Sequence, residues 1–204
     1  MTTPPLARTL VEAYLYIEVT AVALRAGDEA GEKDSVTDYD AHTTLTEGRE
    51  VWTVRFDGRE IGLPVRFDVL VPYGTEFAAR REGVRFGHGT SEVIDAGQWR
   101  VISGGYARQA LRDDLHFARD RSDADRYRGV VLGWEAARDA AAEVAKFLPD
   151  DADEIPETAF WTDMGRSARR EDPEWFTRDG VAAAVSFFQE ALDDFVAAHP
   201  APPA

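Results

Sequence analysis

From Ser122 to Pro149 the chain reads SDADRYRGVVLGWEAARDAAAEVAKFLP, and no other stretch constrains the fold as much. Tyr127, Val130, Val131, Trp134, Ala137, Ala141, Val144, Ala145 and Leu148 recur at the spacing of one helix face. Asp123 is placed to cap the helix start, Lys146 suits its electronegative last turn, and Pro149 stops it. Alanine also lies off that stripe, at Ala136, Ala140 and Ala142, so neighbours can approach closely on several sides. The spacing therefore predicts a central helix in a helical half of the protein.

The 204 residues, 44% hydrophobic and 11% aromatic, suffice for one domain with a sizeable core. Trp52, Trp99, Trp134, Trp161 and Trp175 are spread along the chain, so both halves are expected to pack. The absence of cysteine excludes disulfides and thiolate metal sites and makes a reducing compartment the simplest home. MTTPPLARTL has a single Arg8, and the apolar stretch after it carries Glu12 and Glu18, unlike a secretory signal. No run reaches the length of a membrane span. A cytoplasmic protein is the expectation.

Net charge is -15. It is spread over the chain, with 10 basic against 16 acidic residues up to Ile94 and 13 against 22 from Asp95 onward. Such a field repels polyanions and disfavours nucleic acid or an anionic membrane as partner. It favours a basic partner, although acidity also serves plain solubility.

Residues 6–24 fit two periods. Period two sets Val11, Ala13, Leu15, Ile17, Val19 and Ala21 against Glu12, Tyr14, Tyr16, Glu18 and Thr20, while Leu6, Leu10, Ala13, Tyr14, Ile17, Ala21 and Leu24 fit a helix. The β-branched and tyrosine content favours a strand over about 12–23. Residues 26–35 read as an exposed loop. Residues 36–46, 50–57 and 64–72 read as further strands, with turns at Glu47-Gly48 and a tight hairpin at Asp57-Gly58. In the third, Val65, Phe67, Val69 and Val71 alternate with Arg66, Asp68 and Leu70, the pattern of an antiparallel sheet with one wet face.

Residues 73–94 read as an irregular crossing, with a short strand at 84–86. Asp95 to Gln98 form a capping box for a helix carrying Trp99, Ile102, Tyr106 and Ala110, weakened in its middle by Gly104 and Gly105. Residues 113–122 then connect to the central helix. Pro156 suits the first turn of a short helix over 157–164, Asp172-Pro173 begins another turn, and Thr177 caps a helix reaching about His199.

The segments EAYLYIEV (12–19), GVRFGHGTSEVIDAGQW (83–99), EVAKFLPDDADEIPETAFWTDMGR (143–166) and DPEWFTRDGV (172–181) are similar to a loose group of uncharacterised bacterial proteins. The resemblance implies the same order of elements over most of the chain and no activity. It also implies, for several members, paired cysteines of zinc-ribbon type in the segment after the first strand. Residues 24–60 here contain none.

Three clusters are candidates for chemistry or binding. Asp38, Asp40 and His42 alternate along an expected strand, so two carboxylates and an imidazole would share a face and could hold a divalent metal; the plain alternative is a solvated face. Gly83, Gly87 and Gly89 surround His88, with Thr90, Ser91 and Asp95 nearby, but the spacing matches no phosphate loop or nucleophile elbow, so a structured turn is the simpler reading. Asp150, Asp151, Asp153 and Glu154 lack the glycine and final glutamate of a calcium loop. With Glu157, Asp163 and the aromatic Trp161 they form a surface suited to a basic partner. His116 and His199 have no companion at ligand spacing.

Together these features predict an α+β fold, a single domain over 1–204, with an N-terminal antiparallel β-meander packed against a C-terminal helical layer. Residues 6–94 are expected to be mainly β, 95–199 mainly α, and 200–204 a disordered tail. No cofactor motif is legible. The functional expectation is an acidic protein-binding module that neutralises or regulates a basic partner protein, like an immunity protein or antitoxin, bound through Asp150, Asp151, Asp153, Glu154, Glu157 and Trp161. The alternative is a metal-dependent hydrolase using Asp38, Asp40 and His42. Oligomeric state is not encoded in any motif.

Overall fold

Alternation decides the sheet. In β2 (Val51–Asp57) Val54 and Phe56 are fully buried while Arg55 between them is exposed, and in β3 (Arg66–Pro72) Val69 and Val71 are buried in the same way. With β1 (Thr43–Glu47) these strands form an antiparallel meander in the order β1-β2-β3, in which Val54 stands opposite Leu45 and Val69. On the other face Arg55 and Asp68, also cross-strand partners, make a two-pronged pair at 2.6 and 2.7 Å. One wet face was the sequence expectation, and the sheet has it. At the other edge of β3 the chain start adds a short parallel bridge, with the Ala7 amide donating to Leu70 O and the Leu70 amide to Pro5 O, each at 2.9 Å.

The structure, a computed structural model, describes residues 3–26 and 38–199, in two compact units that divide between Ile94 and Asp95. The fold class is α+β: an antiparallel sheet in the N-terminal part and helices mostly in the C-terminal part. The expected loop over 26–35, apart from Ala26, the start of the strand expected from 36, and the expected tail 200–204 lie outside the described residues.

Several local expectations are corrected in the first unit. Residues 10–26 form a helix, α1 (Leu10–Ala26), where a strand was expected. Thr9 Oγ1 accepts the Glu12 amide at 3.1 Å and Glu76 Oε2 accepts the Leu10 amide at 2.8 Å, so orphan donors of the first turn are satisfied. Glu12, Ala13, Leu15, Ile17, Val19 and Ala21 are all buried and cover most of the helix circumference, which leaves little polar face to betray a 3.6-residue period. A second helix, α2 (Tyr73–Glu82), occupies what was expected to be irregular, and it ends at Gly83 in the left-handed region (φ 68°). No strand forms at 84–86. With α1 and α2, the described residues of 6–94 hold more helix than strand.

The Glu47-Gly48 turn forms, with the Gly48 amide donating to Val51 O at 2.9 Å. Asp57-Gly58 is not a tight hairpin. The Asp57 side chain captures the Arg59 amide and diverts the chain into a 3-10 turn over Gly58–Ile61, closed by Gly62 (φ 79°).

The second unit is helical. α3 (Ala96–Phe117) starts in the expected capping box at Asp95, runs unbroken through Gly104 and Gly105, and extends into the segment expected to be a connection. α4 (Ala124–Ala145) starts where Asp123 accepts the amides of Asp125 and Arg126 at 3.0 and 2.9 Å. A 3-10 turn over Glu157–Ala159 and then α5 (Asp163–Glu171) replace the single short helix expected at 157–164. A further 3-10 turn, Pro173–Phe176, leads into α6 (Arg178–Ala198), capped by Thr177 as expected.

Most of the α4 stripe packs as its spacing predicts, but the helix ends at Ala145, which is exposed, and not at Pro149. Val130, Trp134, Ala137 and Ala141 are buried in one cluster with Ala110 and Phe117 of α3 and Phe188, Leu192 and Phe195 of α6. Small residues set the spacing: a Cβ on Gly133 would stand 2.9 Å from that of Ala110. Among the described residues no helix is long and apolar enough to cross a membrane.

Candidate functional site

The acidic segment after α4 is organised by a residue that follows it in sequence by more than twenty positions. Arg178, the first residue of α6, donates from Nη2 to the carbonyls of Pro149 (3.0 Å), Asp150 (3.0 Å) and Ala152 (2.6 Å), and its amide donates to Asp153 O at 2.8 Å. The Ile155 amide then donates to Phe176 O at 3.0 Å, next to an antiparallel bridge between Glu154 and Thr177. Turn carbonyls need donors, and here three of them share the two N–H groups of one guanidinium nitrogen.

With the backbone held this way, the side chains of Asp150, Asp151, Asp153, Glu154 and Glu157 are exposed. Among the described residues none of these five carboxylates makes a hydrogen bond or ion pair. Trp161 lies further along the same connection, 43% exposed, with its ring 6.0 Å from that of Phe147. Its carbonyl accepts from Arg166 Nη1 at 2.8 Å, and the next residue, Thr162, is bonded through amide and hydroxyl to the buried carboxylate of Asp95. The segment thus offers unneutralised carboxylates and an aromatic ring on backbone that is fixed at several points. Such an arrangement can dock a cationic surface.

The carboxylates and Trp161 were legible in the sequence; Arg178 and Phe147 were not picked out. Arg178 carried a signal, because a cation in the first turn of a helix opposes the macrodipole and so calls for another reason to be there.

The remaining candidates do not assemble. Asp38, Asp40 and His42 do not alternate on a strand, because Asp40–His42 is a 3-10 turn and β1 begins only at Thr43. Asp38 Oδ1 accepts the amides of Asp40 (3.1 Å) and Ala41 (3.4 Å), so that carboxylate caps the turn, and His42 Nδ1 lies 3.6 Å from Glu60. Among the described residues no group of three or more such side chains could hold a metal ion. Asp40 bears instead on α1: burial, reinforced by the charge of Asp40, pushes the Glu18 carboxyl and the Tyr14 phenol up from their ordinary values.

The His88 loop is a structural turn. His88 Nε2 is 3.1 Å from Glu82, both half-exposed, and the buried Ser91 Oγ accepts the amides of Val93 and Ile94 at 3.3 and 3.0 Å. Gly87 (φ 100°) passes so close to Arg8 that a Cβ would stand 2.6 Å from the arginine's own. Arg8 in turn donates to Gly89 O and pairs with Glu12, whose side chain is fully buried.

Compared with models of known protein families, with curated protein sequences and with solved structures, the chain matches none.

Proposed function

We propose that this protein is an acidic protein-binding module that neutralises or regulates a basic partner protein, in the manner of an immunity protein or antitoxin. The reading rests on one observation: among the described residues five carboxylates have no internal partner, four of them on a loop whose backbone is tied to Arg178 and Glu157 on the turn that follows. A loop already ordered before binding loses less conformational entropy on association. The charge of -15 steers a cationic partner, so association is fast and weakens with salt. Trp161 supplies the apolar anchor within the charged surface. A cytoplasmic location belongs to the same reading, since nothing in it calls for disulfides or a membrane.

The test is affinity capture at low and high salt, with partners identified by mass and then purified for titration calorimetry. A basic protein that binds at defined stoichiometry is expected. Its affinity should fall at least tenfold when Asp150, Asp151 and Asp153 are changed to Asn, and again for Trp161→Ala. Absence of any basic partner at either salt concentration, or binding indifferent to both variants, would overturn the proposal.

A further inference from the structure

A cleft of about 120 Å³ in the second unit lies between the Glu154–Ile155 segment, the end of α5 and the turn leading into α6. Its lining includes Arg169, Glu154, Glu174, Ile155, Phe176 and Thr177. The volume corresponds to about four waters at roughly 30 Å³ each, so a ligand of several heavy atoms fits.

Arg169 is the anomaly in this cleft. Its guanidinium lies 4.8 Å from the Phe160 ring centroid but makes no hydrogen bond or ion pair among the described residues. One of its nitrogens, Nη1, is buried and unpartnered. Nη1 is closed to solvent, so a ligand in the cleft meets the guanidinium through Nε and Nη2, which are accessible and unbonded among the described residues although this chain has 38 acidic residues. Two of them, Glu154 and Glu174, line the same cleft, yet neither pairs with Arg169. The same cleft is lined by Ile155 and Phe176, both buried, so it offers apolar surface besides the opposite charges.

A guanidinium recognises a carboxylate through two parallel hydrogen bonds. A bare anion would be repelled by the two glutamates, whereas a ligand with an ammonium next to its carboxylate meets both signs of charge. We propose that this cleft binds a small free amino acid, its carboxylate on Arg169 and its ammonium toward Glu154 and Glu174. Glu154 belongs both to this cleft and to the acidic docking surface, but Arg169 and Glu174 do not, and the titration below contains no protein partner, so this proposal stands or falls separately.

The test is a titration of the full-length ¹⁵N-labelled protein with L-alanine, followed by amide shifts, alongside acetate and methylammonium as the separated halves of the ligand. Alanine is expected to give saturable shifts at residues 154–155 and 169–177, with either half binding at least tenfold more weakly. Arg169→Gln should weaken alanine binding at least tenfold. The double variant Glu154→Gln/Glu174→Gln, which alters only exposed side chains, should weaken alanine while leaving acetate bound equally or better; this arm decides the matter should Arg169→Gln disturb the fold. No saturable shift with alanine, acetate binding as tightly as alanine, or an unchanged affinity in the double variant would overturn the proposal.

Discussion

Asp95 and Thr162 join the starts of two helices through one buried carboxylate. Asp95 Oδ2 accepts both the amide (2.8 Å) and the hydroxyl (2.6 Å) of Thr162, while Oδ1 accepts the Gln98 amide at 2.8 Å. Thr162 Oγ1 in turn accepts the Gly165 amide at 2.9 Å and so caps α5. The α3 cap and the α5 cap are therefore one hydrogen-bonded unit, and Gln98 closes it by accepting the Asp95 amide at 3.0 Å.

Asp95→Ala removes the α3 cap and strands the two Thr162 donors. Lost caps cost about 0.5–2 kcal/mol and unsatisfied buried groups about 1–3, so a combined loss of about 2–4 kcal/mol is expected. Asp95→Asn keeps one acceptor and should lose about half as much. Urea denaturation measures both, and a loss under about 1 kcal/mol for the alanine variant at unchanged m-value would show that the link carries little stability.

Gly97 and Gly165 let those helix starts approach. A Cβ on Gly97 would stand 2.5 Å from Gly165 Cα, and one on Gly165 would stand 2.5 Å from Asp95 Cγ. Neither neighbour is the free end of a flexible side chain, so Gly165→Ala should destabilise by about 2 kcal/mol or more. At Gly105, in the middle of α3, an added Cβ would meet nothing within 4 Å, and Gly105→Ala should stabilise by up to about 1 kcal/mol. Thermal melts of the two variants are expected to move in opposite directions; a shared direction would contradict the packing argument.

The elements best read from sequence were those with one buried stripe and a chemical start signal. The capping box at Asp95, the Asp123 cap with the stripe through Trp134, and the Thr177 cap all lie where the pattern put them. The same logic misled where burial was two-sided. Glu12 was read as the wet side of a strand, yet it is fully buried because Arg8 reaches it from four residues before, with contacts at 2.6 Å. A charge that is neutralised locally is indistinguishable in the sequence from one that is hydrated. Asp57-Gly58 misled for another reason: the aspartate side chain competed with the backbone for the Arg59 amide. At the acidic loop the exposed carboxylates were legible as a charge run, but the Arg178 contacts that hold it span 26 to 29 residues, and no local pattern reports them.

Glu18 and Asp40 give a pH dependence with a definite sign. The Glu18 carboxyl is raised above its ordinary 4.5, first by burial and second by the negative charge of Asp40. A carboxyl with a raised folded-state pKa holds its proton more tightly in the folded than in the unfolded chain. Its contribution to stability is therefore full below the ordinary value and is lost as pH rises through the raised one. Asp40→Asn removes the second cause and leaves the first, so the Glu18 pKa should fall part of the way toward 4.5, and the loss of stability over that pH window should become smaller. The Tyr14 phenol, raised by the same two causes, should fall as well. Side-chain ¹³C titration of Glu18 in both proteins, with urea midpoints taken across the window, measures the effect. A Glu18 titration curve that does not move in Asp40→Asn would mean that the two charges do not sense each other.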